Sequence, residues 1–193
     1  MGYTYNRYTA APAAVTNRFV ASTNMANGAY TLAATTMPTP GARKITATIT
    51  PVTGNDTPGT ITVVGTNLAG QAMTEVISLV AGGSATGSKL FVTVSSITQA
   101  GWVINTGNDT IVIGCDATQA VLDGGGTLRS VIVNTTAAGT ITIADAKGTI
   151  AQLKTSIAEG TYYYDIDVVG FLTVTQTAAS DITVVTTPPT TSF

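Results

Sequence analysis

The segment Ala81 to Ile97, AGGSATGSKLFVTVSSI, suits either a phosphate-binding loop or a turn between two strands. Gly82 and Gly87 have the spacing of the two glycines in a phosphate-binding loop, G-x-x-x-x-G-K-[ST]. The next two residues are Ser88 and then Lys89, the reverse of the order that such a loop requires. A phosphate-binding loop also presents its amides at the start of a helix. The segment after the glycines therefore distinguishes a nucleotide site from a turn.

That segment, Leu90 to Ile97, is rich in β-branched residues and poor in good helix formers. Such a composition is typical of a β-strand. The sequence therefore favours a loop between two strands over a nucleotide site.

Alternation of apolar and polar residues recurs through most of the chain. Short alternating runs are separated by Gly, Asn and Pro at intervals of about 8–12 residues, which is typical of a sandwich or barrel. The predicted strands are residues 43–50, 60–66, 73–80, 90–97, 102–104, 110–113, 127–133, 139–143, 148–153, 162–168, 171–175 and 181–185.

Two domains are predicted from this pattern. A break at Asp123–Gly126 separates two sets of strands, so we expect an all-β protein with two small antiparallel β-sandwich or barrel-like domains. The first covers residues 28–117. The second covers residues 118–193 and has an extended C-terminal end from Thr186 onward.

Residues 1–27 show no clear period but carry several aromatic side chains. A segment without its own core is either disordered or an arm that lies on another surface, and aromatic residues favour the arm. We therefore predict an extended N-terminal arm with interface residues Tyr3, Tyr5, Tyr8 and Phe19.

Composition excludes several classes of function. Charged residues make up 9% of the chain, against about 25% in typical domains. Such a low content of charge is common in membrane proteins, so the length of the apolar runs decides whether a membrane is involved. The sequence has no apolar run of the length that spans a membrane, so no membrane partner is expected. A net charge of −2 with scattered basic residues argues against nucleic acid as a partner.

The scarcity of reactive side chains argues against catalysis. There is no histidine, which removes the commonest general base, and Cys115 is the single cysteine. Cys115 is predicted to be a small buried apolar residue, with an intermolecular disulfide or a reactive thiol as the alternatives. Ser88 and Lys89 are adjacent on an extended segment, so their side chains point to opposite faces. We predict no catalytic, cofactor-binding or metal-binding residues, and no enzyme.

Two clusters of polar or aromatic residues remain. Asp165 and Asp167 are two apart on a predicted strand and hence on one face. We predict that these two carboxylates lie at a solvent-facing or interfacial edge. A cation site and an acid–base pair are the alternatives. Tyr162, Tyr163 and Tyr164 suit a subunit interface or a sugar platform, with Tyr162 and Tyr164 on one face and Tyr163 on the other.

One short sequence occurs twice. Thr53-Gly54-Asn55-Asp56-Thr57 returns as Thr106-Gly107-Asn108-Asp109-Thr110. Both are interpreted as the same turn used again.

The order of strands and turns resembles a known family. The motifs are Gly59–Asn67, then Gly70–Ile77, then Gly82–Phe91 with Val94–Ile97, and in the second half Leu128–Thr135. In this order they resemble small β-rich virion proteins of tailed bacteriophages, of the capsid decoration (cement) or head-fibre type. The resemblance covers most of residues 43–185, and it implies a loop before a strand at Gly82–Phe91 and no catalytic residues.

The resemblance leads to a functional expectation. We expect a structural virion protein, specifically a capsid decoration protein that clamps neighbouring subunits of the major capsid protein. It would act as a homo-oligomer, with a trimer as the expected state. It would be located in the virion, after assembly in the cytoplasm of the host bacterium.

Other functions stay open at this point. A tail, collar or head-fibre component is one alternative. A carbohydrate- or receptor-binding module is another, with Trp102 and the tyrosines as its candidate contacts. An enzyme such as a depolymerase would need a pair of carboxylates in a cleft, for which the spacing offers Asp165 and Asp167.

Overall fold

The computed structural model describes residues 2–8, 13–39 and 41–188. Within these ranges the regular structure consists of β-strands, and no helix is present. The strands are β1 (Thr4–Tyr8), β2 (Val15–Asn24), β3 (Gly28–Ala29), β4 (Ile45–Thr50), β5 (Thr60–Thr66), β6 (Ala72–Ser78), β7 (Ser84–Thr86), β8 (Thr93–Ala100), β9 (Thr110–Cys115), β10 (Gln119–Asp123), β11 (Gly126–Thr135), β12 (Ile141–Asp145), β13 (Gly148–Leu153), β14 (Gly160–Val168), β15 (Phe171–Gln176) and β16 (Asp181–Thr187). The all-β prediction is confirmed.

The chain forms two compact units. One unit, here called the inserted unit, comprises residues 13–117. The other, here called the split unit, combines the residues up to 12 with those from 118 onward. The division after residue 117 lies where the sequence placed a domain boundary. Because residues 2–8 and 118–188 both belong to the split unit, the inserted unit interrupts the split unit after β1.

Both units have the same strand topology. The inserted unit has four-stranded sheets β2-β9-β4-β7 and β3-β8-β5-β6, and the split unit has β1-β16-β11-β14 and β10-β15-β12-β13. If the eight strands of each unit are numbered along the chain, both units give the orders 1-8-3-6 and 2-7-4-5. This is the strand order of a jelly roll, in which two antiparallel sheets pack face to face. The prediction of two antiparallel β-sandwich or barrel-like domains is therefore confirmed, and the strand order is that of a sandwich.

The core of the inserted unit follows from alternation along its strands. On β4, Ile45, Ala47 and Ile49 are buried, while the threonines between them are more exposed. They share one apolar cluster with Ile61 and Val63 of β5, in the opposite sheet. Fully burying a side chain of this size contributes about 1.5–3 kcal/mol. Replacing Ile61 with alanine is thus expected to cost about 2–5 kcal/mol.

The split unit has a separate core of the same kind. Leu128 and Val131 of β11 are completely buried and pack in one cluster with Ile141 and Ile143 of β12. Each unit therefore joins its own two sheets through its own apolar layer, as a sandwich requires.

The N-terminal segment differs from the predicted arm. Its first part, β1, pairs antiparallel with β16 at one edge of the split unit, with Tyr5 opposite Val185. Its second part, β2, pairs with β9 in the inserted unit, with Val20 opposite Ile113. Register shifts interrupt the pairing of β2, so its apolar residues lack the period of two that reveals a strand.

The burial of two aromatic residues corrects their predicted role. Tyr8 is 7% exposed and belongs to the core of the split unit, while Phe19 is 0% exposed in the core of the inserted unit. Neither side chain is therefore available for the predicted interface with another protein.

The C-terminal end also differs in part from its prediction. Thr186 and Thr187 complete β16 and are buried, where an exposed extended end was predicted. Residues 189–193 lie outside the described residues.

Candidate functional site

The glycine-rich stretch around Gly82 is a loop that carries the short strand β7, and a strand follows it. Two of its amides bind an anion, but this anion is the side-chain carboxylate of Glu75 and not a phosphate. Glu75 Oε1 accepts hydrogen bonds from the amides of Ser88 and Lys89 at 2.5 and 3.1 Å, and from Ser88 Oγ at 2.9 Å. The donors that a phosphate would need are therefore already used.

Gly87 allows this close approach. A Cβ at position 87 would lie 2.5 Å from Glu75 Oε2, so any side chain there would displace the carboxylate. Glu75 points inward from β6, an edge strand of its sheet, and is 7% exposed. An inward charge on an edge strand also discourages pairing with a further strand.

The repeated Thr-Gly-Asn-Asp-Thr turns bind each other. The Asp109 amide donates to Asp56 Oδ2 over 3.0 Å, and the Asp56 amide donates to Asp109 Oδ2 over 2.9 Å. Both carboxylates are buried, at 2% and 1% exposure. The repeat thus builds a reciprocal clasp between two loops, which the sequence analysis interpreted only as one turn used twice.

Further donors complete this clasp. Asp56 also accepts from the Asn105 amide and from Trp102 Nε1, at 2.9 and 3.1 Å. Burial alone would raise the pKa of Asp56, but these donors and the Asp109 amide outweigh it, and the pKa lies below its usual value. Trp102 packs against the apolar core, so its indole is committed to the fold.

Arg43 ties together the two ends of the inserted unit. Its side chain is completely buried, and Nη1 donates to the carbonyls of Ala13 and Asp116 at 2.8 and 3.1 Å. Nη2 donates to Thr39 Oγ1 at 2.6 Å. Because residue 13 is the first position of this unit and residue 116 is its second-last, Arg43 fixes where the chain enters and leaves it.

A cluster of exposed aromatic and charged side chains lies on the outer face of the sheet β1-β16-β11-β14. Pairing across the four strands places Tyr5, Val185, Ser130 and Tyr163 in one row. Ser130 and Val185 form a low floor, and Tyr5 and Tyr163 stand at its two sides, 65% and 78% exposed. Tyr3 lies beside Tyr5, with ring centres 6.4 Å apart. We call this feature the tyrosine groove.

A charged pair borders the tyrosine groove. Arg129 Nη1 donates to Asp165 Oδ1 at 2.9 Å, and both side chains line the groove. This bond raises the pKa of Arg129 above its usual value. The register of β11 with both neighbours shifts between Leu128 and Ser130, and Asp165 has a φ of +50°. Arg129 and Asp165 are therefore the irregular residues of a bulge, a feature that often re-aims side chains at functional sites.

The predicted interface tyrosines separate into two groups. Tyr163 is exposed on the tyrosine groove together with Tyr3 and Tyr5. Tyr162 and Tyr164 point to the other face and pack against the core of the split unit, and the Tyr162 hydroxyl donates to the Ala158 carbonyl at 2.8 Å. The opposite facing of Tyr163 follows the predicted alternation.

Asp165 and Asp167, which were predicted to lie at a solvent-facing or interfacial edge, are both exposed and have different partners. Asp165 accepts from Arg129, whereas Asp167 accepts from Thr127 Oγ1 at 3.2 Å. Among the described residues, no group of three or more His, Cys, Asp or Glu side chains could hold a metal ion. Cys115 is completely buried, as predicted, and burial raises its pKa.

Sequence reasoning missed Arg129 and Ser130 as groove residues. The signal that could have found them is two adjacent polar residues between Leu128 and Val131, which breaks the alternation of the strand and is typical of a bulge.

Comparisons with other proteins add no assignment to these observations. None of the described segments forms a helix long and apolar enough to cross a membrane. No family model, curated protein or solved structure matches the chain.

Proposed function

We propose that this chain is a structural protein of a tailed-bacteriophage virion, without enzymatic activity, and specifically a capsid decoration protein. The observation that carries the proposal is the shared jelly-roll order of both units, because that architecture recurs in viral capsid proteins and in lectins. The resemblance of residues 43–185 to phage virion proteins points the same way.

The partner in this proposal is the major capsid protein, and the chain acts as a homo-oligomer with a trimer as the expected state. Binding across the joints between capsid subunits would stabilise the head by burying additional surface. A stable contact of this kind typically buries about 1,600 Å² in total.

A surface on the inserted unit suits such a contact. Val52, Val103 and Ile104 are 59%, 55% and 51% exposed, and they lie on the loops that the Asp56–Asp109 clasp holds together. Exposed apolar side chains on fixed loops can be buried by a partner with little loss of conformational entropy. We propose that these three side chains contact the capsid, in place of the buried Tyr8 and Phe19.

The test is co-sedimentation of the purified protein with undecorated phage heads. The double variant Val103→Asp, Ile104→Asp should remain folded and lose binding, because it places two charges in the proposed contact. Val76→Asp is the matched control, since Val76 is 63% exposed on β6 of the same unit. Failure of the wild-type protein to bind heads would refute the decoration role. Equal binding by the double variant would refute this contact surface only.

The second candidate function is a carbohydrate- or receptor-binding module, including one carried on a tail, collar or head fibre. The tyrosine groove is the observation that favours it.

A further inference from the structure

We propose that the tyrosine groove binds a neutral oligosaccharide. Tyr5 and Tyr163 would stack on its sugar rings, and Arg129 and Asp165 would hydrogen-bond its hydroxyl groups. The proposal concerns the split unit alone and does not depend on where in a virion, or outside one, the protein is located.

Three tyrosine side chains of the groove are exposed to solvent. Tyr3, Tyr5 and Tyr163 are 59%, 65% and 78% exposed, so these rings contribute little to the core of their own unit. Tyrosine combines a large apolar surface with a polar tip and few rotatable bonds, and it is therefore favoured where a protein contacts a ligand.

The width and volume of the groove suit a short oligosaccharide. Three spacings between neighbouring strands, of about 4.8 Å each, place Tyr5 and Tyr163 about 14 Å apart at the backbone. The floor of Ser130 and Val185 is low, and the groove has a volume of about 470 Å³. Small-molecule sites typically have roughly 300–1,000 Å³. A short chain of sugar rings fits between two aromatic walls separated in this way.

The charges decide the class of ligand. Asp165 supplies acceptors and Arg129 supplies donors within 2.9 Å of each other, and their charges cancel. A sugar hydroxyl both donates and accepts, so adjacent hydroxyls complement such a pair. A phosphate or another anion would need a net positive site, which the carboxylate of Asp165 removes.

The groove is also built before any ligand arrives. Its walls and floor stand on hydrogen-bonded strands, and β11, which carries Arg129, pairs with β14 on one side and with β16 on the other. Sites on strands hold their geometry better than sites on loops. The φ of +50° at Asp165 is a local departure from β geometry of the kind that concentrates at ligand sites.

The experiment titrates the full chain with maltotetraose, cellotetraose and chitotetraose at up to millimolar concentration, using calorimetry and NMR. We expect at least one of them to bind. Tyr163→Ala and Tyr5→Ala should each weaken that binding about tenfold, because each removes one stacking surface. Tyr163→Phe keeps the ring and should bind nearly as well as the wild type.

Two further variants separate polar contacts from general damage. Asp165→Asn keeps a residue type that tolerates positive φ, and it should weaken binding by removing the carboxylate acceptors. Val76→Ala, on the inserted unit, should leave binding unchanged. All variants should keep the wild-type melting temperature, since Tyr5, Tyr163, Asp165 and Val76 are exposed.

Several results would overturn the proposal. One is the absence of binding by all three oligosaccharides. Another is binding that both tyrosine-to-alanine variants leave intact. A proline-rich peptide that binds the groove in place of the sugars, or self-association that requires Tyr163, would assign the face to a protein partner instead.

Discussion

Replacing Glu75 with alanine tests whether the glycine-rich loop is organised by the carboxylate inside it. The change removes the acceptor of three hydrogen bonds, two from amides and one from the Ser88 hydroxyl. A hydrogen bond to a charged group contributes about 1.5–3 kcal/mol, but these three share one oxygen, and the exposed donors of Ser88 and Lys89 can regain water. We therefore expect the free energy of unfolding of the inserted unit to fall by about 2–4 kcal/mol.

The assay is urea unfolding followed by tryptophan fluorescence, because Trp102 is the single tryptophan and lies in the inserted unit. With a slope of about 2 kcal/mol per molar urea, the midpoint should fall by about 1–2 M. Glu75→Gln retains an acceptor and should lose about half as much, because a neutral acceptor bonds about half as strongly. Ser78→Ala changes an exposed residue of β6, the strand that carries Glu75, and is the control, with an expected change within about 0.5 kcal/mol. An unchanged midpoint in Glu75→Ala would refute the carboxylate-centred account of the loop, and protection of the wild type by ATP would restore the nucleotide interpretation.

Three further predictions concern the clasp, the buried tyrosine and the N-terminal strands. Asp109→Ala should lower the free energy of unfolding by about 2–4 kcal/mol in the same assay, because Asp109 Oδ1 and Oδ2 accept hydrogen bonds from the amides of Val52 and Asp56. A loss of stability no larger than that of Asp109→Asn would contradict this prediction. Burial raises the pKa of Tyr8 above its ordinary value of 10.0, so stability present below pH 10 should be lost as the pH rises above it. Tyr8→Phe should reduce that loss in an alkaline titration followed by tyrosine circular dichroism, and an identical profile would count against it. Deleting residues 1–20 removes β1 and the first six of the ten residues of β2, so both units should lose their β signal in far-ultraviolet circular dichroism. A folded, soluble product would show that these strands are dispensable.

The fold was predictable where a strand pairs with neighbours that share its regular alternation. Ile45–Thr50 and Thr60–Thr66 show a clean period of two, and the structure confirms both as strands. The N-terminal strands were not predictable in this way, because β1 pairs with β16, at the opposite end of the chain. A local pattern carries no information about such a partner, and the register shifts of β2 remove even the local pattern.

The candidate site was predictable in part. The exposed tyrosines at positions 3, 5 and 163 are visible as residue types, and the facing of Tyr163 follows from alternation. Their meeting on one sheet depends on the insertion of residues 13–117 between β1 and the rest of the split unit. The pairing of Arg129 with Asp165 depends on the bulge, which moves both residues out of the regular register.

In a regular β-sandwich, charged side chains face solvent and strands pair without interruption. Three residues of this chain depart from that pattern, and the contacts of each indicate whether its role is structural or functional. Glu75 is a buried charge, but it accepts hydrogen bonds from three donors of Ser88 and Lys89, in the glycine-rich stretch. Arg43 is also a buried charge, and its guanidinium holds the two ends of its unit together. Asp165 differs from both because it is exposed. Its bulge interrupts regular strand pairing and places a charge beside exposed aromatic rings. Local irregularities that a fold does not need for its own stability are where functional sites are expected. Of these three departures, Asp165 is the one directed at solvent, and the tyrosine groove is accordingly the surface on which we place ligand binding.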